Sequence, residues 1–157
     1  MPSSDWFADA LLDEGVRRRY WAKVYVPDEG GCWYWTGAIS GKGHGRFWIG
    51  QGRVVIAHRF GYALAHPGEP MPPMVGHRCD NPICQSPEPG HMEPSTAARN
   101  RAEWVWRRDT VGGPLRDVRG ALGRAIALRD AARKRADLDA AESIGRRPVD
   151  RDQSPLW

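Results

Sequence analysis

The chain has 157 residues, is 41% hydrophobic and 27% charged, and holds eight tryptophans but only three cysteines. That length supports one compact domain with an appendage, or two very small domains. No apolar run approaches the roughly 20 residues needed to cross a bilayer, which excludes a membrane-spanning helix; no membrane partner is expected, and three cysteines exclude a disulfide framework. The formal charge of +4 is uneven: ten basic and ten acidic residues lie in 1–100, thirteen and nine in 101–157. A pI near 9.2 permits a polyanionic partner without demonstrating one. The amino terminus lacks the basic and then apolar stretches of a secretory signal, so a reducing, cytoplasmic setting is expected.

In chain order, residues 1–27 read as a helical segment. Ser4 is its cap, and Trp6, Ala10, Leu11 and Val16 form its buried stripe. Pro27 and the turn Asp28-Glu29-Gly30-Gly31 end it. Cys32 to Thr36 reads as a short strand with Trp33 and Trp35 on one face. A glycine loop (Gly41, Gly43, Gly45) follows, and then a hairpin over 46–56 turning at Gly50-Gln51-Gly52. Ala57 to His66 has helical composition, and the stretch from Val75 to Met92 is compact and turn-rich. Ser95 or Thr96 then caps a helix running to Arg108. Gly112-Gly113-Pro114 is the clearest boundary, so the segments are 1–27, 28–111 and 112–157. The last contains one long helix or two, with a narrow seam of Leu115, Val118, Leu122, Ala125 and Ala132.

The informative stretch is His77-Arg78-Cys79-Asp80-Asn81-Pro82-Ile83-Cys84, followed by His91 and Asn100. Two thiolates on a short knuckle and a nearby imidazole supply three sides of a zinc tetrahedron. Cys32 is the one cysteine left, and it completes a Cys3His set; buried free thiols are the alternative. Four protein ligands leave no position for a catalytic water, so such a zinc is structural. Asn100, one turn past the helix cap, can face back toward His77.

These residues resemble the HNH nucleases, also called ββα-metal or His-Me finger nucleases. The likeness is greatest to their zinc-knuckle branch of phage and homing endonucleases. The matching text is Cys32-Trp33-x-Trp35-Thr36-Gly37, Gly43-x-Gly45-Arg46-Phe47 and Ala57-His58-Arg59-x-x-Tyr62. It continues through His77-x-Cys79-Asp80-Asn81-Pro82-x-Cys84, His91-Met92 and Asn100. The resemblance covers residues 19–105, about half of the chain. It implies an α+β fold with a small zinc-stabilised ββα-metal core and helical extensions at both ends. It further implies that His77 is the general base, that Asn100 binds a catalytic Mg2+, and that Cys32, Cys79, Cys84 and His91 hold Zn2+. Many relatives carry Asp or His just before the base; Gly76 stands there here, which leaves Asn100 as the one protein ligand of a water-rich magnesium site. Asp80 is expected to cap the knuckle turn.

Arg46 is the candidate clamp for the scissile phosphate, with Arg53 as its substitute; an exposed strand arginine is the plainer reading. His58 is expected to pack or hydrogen-bond, while His44 and His66 have no evident partner. The tryptophans read as core, Trp48 included, and one of Trp104 and Trp106 is expected to pack on the zinc core. The resemblance thus implies a DNA endonuclease of a bacterial or phage-infected cell, associated with the nucleoid. A catalytically inactive zinc module that binds DNA, or a phage-packaging accessory, is the alternative. In the C-terminal extension Arg119, Arg124, Arg133 and Arg135 are expected to stay free for phosphates, or the helix to form a homodimer.

Overall fold

The computed structural model describes residues 5–150, so Ser4 lies outside them. Asp5 caps α1 (Trp6–Leu12) by accepting from the Phe7 and Ala8 amides at 3.2 Å. Asp13 then leaves the helical region and caps α2 (Glu14–Trp21) through the Val16 amide at 2.9 Å. The single expected helix is therefore two, because an aspartate side chain competes for the backbone amides. Ala10 and Val16 are buried as expected, whereas Trp6 is 42% exposed.

β1 (Val24–Tyr25) pairs antiparallel with β2 (Tyr34–Trp35). β3 (Arg46–Gly50) and β4 (Arg53–Ile56) form the expected hairpin, with positive φ at Gly50, Gln51 and Gly52. Alternation sends Phe47 and Ile49 inward and Arg46 and Trp48 outward, so Trp48 is half exposed rather than core. α3 (Ala57–Ala65) is buried along most of its length. β5 (Met74–His77) pairs antiparallel with β6 (Met92–Ser95), and α4 (Ala97–Arg107) follows at once, with Thr96 accepting from the Arg99 amide. Past a 3-10 turn at Pro114–Arg116 come α5 (Gly120–Arg133) and α6 (Leu138–Ile144). The chain is thus a mixed α+β fold with small antiparallel sheets. Among the described residues no helix is long and apolar enough to cross a membrane.

Tyr20 is the hub of the core. Its ring lies 5.4–5.7 Å from those of Trp35, Phe47 and Phe60, and its hydroxyl donates to Gln85 Oε1 at 2.8 Å. Ala125 and Leu128 of α5 belong to the same cluster, as do Ala10 and Val16. The three segments marked in the sequence therefore share one core. The expected C-terminal seam is half realised: Ala125 and Ala132 are buried with Leu128, while Val118 is 62% exposed and precedes the helix. A second small cluster of Tyr62, Val75 and Met92 lies under the β5–β6 pair.

Candidate functional site

Backbone pairing assembles the cysteines. Tyr34 of β2 bridges antiparallel to Cys84, the Trp35 amide donates to the Ile83 carbonyl at 3.0 Å, and the Gln85 amide donates to Trp33 at 2.7 Å. That register carries Cys32 to the knuckle from 47 positions away in the sequence. On the other side the Arg78 amide donates to the His91 carbonyl at 2.9 Å, which brings His91 in. The ligand atoms of Cys32, Cys79, Cys84 and His91 all lie within 4.8 Å of one another, with His91 Nδ1 3.6 Å from the Sγ of both Cys32 and Cys84. They form a Cys3His group that could hold a metal ion such as zinc, and the donor set fits a closed tetrahedral site.

The electrostatics point the same way. Hydrogen bonds from the Cys79 and Cys84 thiols hold Cys32 down to about 2, while Cys79 is pushed up to about 12 by its bond to Cys32 and Cys84 is raised for the same reason. Three thiolates in so small a volume repel one another; a bound dication would let all three ionise.

The knuckle turn is capped by Asn81, whose Oδ1 accepts from the Ile83 amide at 3.2 Å. Asp80, expected in that role, instead stands at φ +53° and accepts from Arg107 Nη2 at 2.9 Å. This ion pair ties the knuckle to α4, the helix that carries Asn100.

His77 ends β5, and its Nε2 lies 2.9 Å from the Cys84 carbonyl oxygen. A carbonyl only accepts, so Nε2 carries the proton and Nδ1 of the neutral ring has a free lone pair. Burial lowers the His77 pKa to about 4, against the opposing pull of the Cys84 carbonyl. His77 and Asn100 line one cleft of about 540 Å³. A Cβ on Gly76 would stand 3.6 Å from Asn100 Oδ1, so β5 faces α4 closely there. Asn100 Oδ1 is an oxygen donor of the hard type magnesium prefers.

Sequence reasoning left out much of the cleft wall. His58 is buried, its ring centroid 4.4 Å from that of His77, and the His44 ring on the glycine loop lies tilted against it at 5.4 Å. The Nδ1 atoms of His44 and His58 are both buried without a partner, and burial lowers both pKa values. Lys42 and Arg59 add positive charge to the lining, Arg59 being held by the Pro72 and Pro73 carbonyls at 3.3 Å. The text Ala-His-Arg and the glycine loop were the available signals for these residues. His66 lies elsewhere, stacked on Tyr62 at 4.1 Å.

Arg46 is exposed on β3, directly opposite Ile56, which lines the cleft, but Arg46 is not itself part of the lining. Arg53 sits over the Trp6 ring at 5.2 Å, in a separate hollow. Of the C-terminal arginines, Arg119 and Arg124 are held in ion pairs, while Arg133 and Arg135 stay exposed beside their partners. Arg119 pairs with Asp117 at 2.7 Å, and Arg124, 5% exposed, pairs with Glu142 at 2.8 Å. Arg133 donates to the Thr36 carbonyl at 2.7 Å, and Arg135 lies 3.9 Å over the Tyr25 ring. Each meets an intramolecular partner because this segment docks on the core. Neither Trp104 nor Trp106 is core: they are 48% and 84% exposed.

No family profile matches the chain, and no solved structure matches it. It is similar to two proteins of Escherichia phage T7. With Protein 2.8 it is 38% identical over 91 residues, which is 57% of this chain and 60% of that protein. With Protein 7.7 it is 35% identical over 74 residues, 47% of this chain and 55% of that protein. The chain thus spans less than two thirds of either relative.

Proposed function

We propose that the protein is a divalent-metal-dependent DNA endonuclease of the HNH, or ββα-metal, kind. The carrying observation is that His77 at the end of β5 and Asn100 on α4 open on one cleft in a hairpin-then-helix unit pinned by the Cys3His group. In this reading His77 Nδ1 takes the proton from a water whose oxygen attacks phosphorus. The P–O3′ bond then breaks, leaving a 5′-phosphate and a 3′-hydroxyl. The Nε2–H···O=C bond to Cys84 keeps the ring in the tautomer that can accept. Asn100 Oδ1 would hold Mg2+, which when bound neutralises charge on the phosphate and the leaving oxygen. Lys42 and Arg59 hold the phosphate electrostatically. Zinc in the Cys3His group keeps the knuckle folded and takes no part in the chemistry.

The similarity to two T7 proteins supports a phage or phage-infected setting. Incubating the zinc-loaded protein with plasmid DNA and magnesium tests the reading. Cleavage that needs magnesium and is lost in His77→Ala is expected. A salt-sensitive gel shift with no cleavage would replace it with the inactive DNA-binding module.

A further inference from the structure

The cleft contains an aromatic group that neither the catalytic reading nor the core uses. Trp104 lies four residues after Asn100 on α4, so the two side chains share a helix face one turn apart. Both line the cleft. Nearly half of the Trp104 surface is exposed, and among the exposed tryptophans Trp104 is set apart by its place in the lining of this cleft. Arg108 reaches back over the ring, its Cζ 5.1 Å from the centroid, and also lies 3.5 Å from the Asp109 carboxylate. A guanidinium on one side of an indole fixes the ring plane and leaves the other side for a flat partner. Trp106 is more exposed still but lies two residues on, around the helix, outside the cleft.

We propose that Trp104, backed by Arg108, is a stacking subsite for an unpaired nucleobase next to the bond to be cut. The inference rests on the nuclease reading of the cleft and narrows its substrate class. In a continuous duplex both faces of every base are already covered. A base can meet Trp104 only where the strand is single, mismatched or splayed. The positive lining at Lys42 and Arg59 would hold the backbone while Trp104 takes the base. The preferred substrate is therefore DNA with an unpaired stretch at the cleavage point.

The test uses the full, zinc-loaded chain and three fluorescein-labelled DNAs of one sequence: a single strand, a blunt duplex and a duplex with a central three-base mismatch. Binding is read by anisotropy without magnesium, and cleavage with it. The parent should bind the single strand and the mismatched duplex at least tenfold tighter than the blunt duplex. Trp104→Ala should lose about tenfold on those two DNAs, within the range for one stacked base. Trp104→Phe should keep most of the affinity, and KM should rise in Trp104→Ala while kcat stays within a few-fold. Trp106→Ala should leave affinity unchanged. Equal affinity of Trp104→Ala and parent, preference for the blunt duplex, or an equal loss in Trp106→Ala would each overturn the subsite. Trp104-dependent binding without any cleavage would keep the subsite and remove the nuclease reading. Cleavage indifferent to Trp104 would do the reverse.

Discussion

His77 Nε2 lies 2.9 Å from the carbonyl oxygen of Cys84, so the candidate base is held by the backbone of a candidate metal ligand. The peptide that places one thiol also fixes which ring nitrogen of His77 is free. A knuckle that loosened would lose its ligand geometry and release the imidazole together. On the proposed reading, structural metal and chemistry would be coupled through this one hydrogen bond, although no residue of the Cys3His group would enter the cleft chemistry.

Metal removal should therefore unfold the site rather than merely silence it. Elemental analysis should find about one zinc per chain, since four protein donors close one tetrahedron. Cys79→Ser or Cys84→Ser should give protein without zinc and without a cooperative thermal transition. Unchanged melting in excess strong chelator would remove the zinc assignment.

Activity should separate from stability at two positions. His77→Ala should lower kcat by about two orders of magnitude or more, with zinc content and DNA affinity kept. Asn100→Ala should fall comparably and respond to raised magnesium, because on the proposed reading it loses a magnesium ligand rather than the base. Steady-state cleavage of a defined DNA reads both, and parent-like rates in both variants would move the active site elsewhere.

The sequence displayed the cysteine–histidine knuckle because its ligands sit in one short run with turn residues between them. The hairpin, the helices over 57–65 and 97–107 and the long reach of Cys32 followed from glycine turns, caps and cysteine arithmetic. The cleft wall was harder to read. Lys42, His44, His58, Arg59 and Trp104 come from three separate elements, and only tertiary packing gathers them. Asp13 splitting the first helix was invisible because a capping aspartate and an exposed helical aspartate look alike in sequence. The pairing of Arg119 and Arg124 was hidden for a related reason: charge composition does not reveal that Asp117 and Glu142 stand opposite them.

Acid should destabilise the protein from about pH 6.5 downward. Burial lowers the pKa of His58 well below its ordinary value and lowers that of His44, so the unfolded chain binds protons there that the folded chain refuses. Stability from these rings is complete above the unfolded value near 6.5 and is lost as pH falls below it, by up to about 1.4 kcal/mol per pH unit for His58. Urea melts at pH 7.5, 6.5 and 5.5 measure the slope. The His58 imidazole resonance should show no titration between pH 6 and 8, and an ordinary midpoint near 6.5 would defeat the argument.

Gly61 touches the core hub. A Cβ there would run into the Tyr20 hydroxyl and stand 3.3 Å from Gln85 Oε1. Gly61→Ala should break the Tyr20–Gln85 bond and cost about 1–3 kcal/mol. Tyr20→Phe should partly relieve the clash, and strictly additive losses in the double variant would show that the two residues do not meet.

The C-terminal segment should prove to be structure before it is a binding arm. Arg124 donates through Nε to Glu142 and through Nη1 to the Asp80 carbonyl, both at 2.8 Å. Asp80 follows a knuckle cysteine and holds Arg107, so Arg124 braces the site from behind. Removing one partner of a nearly buried pair typically costs about 3 kcal/mol, and Arg124→Ala should lower stability on that scale. It should leave the salt dependence of DNA binding unchanged, because a guanidinium buried between two protein partners reaches no phosphate. Lys42→Ala should do the opposite: little loss of stability, and a log–log salt slope smaller by about 0.9 for the one contact removed. Cutting the chain at Gly112 takes Ala125 and Leu128 out of the core and should abolish cooperative melting. A fragment ending at Gly112 that melts like the parent would show that the core closes without α5, and would return the arginines of this segment to the surface.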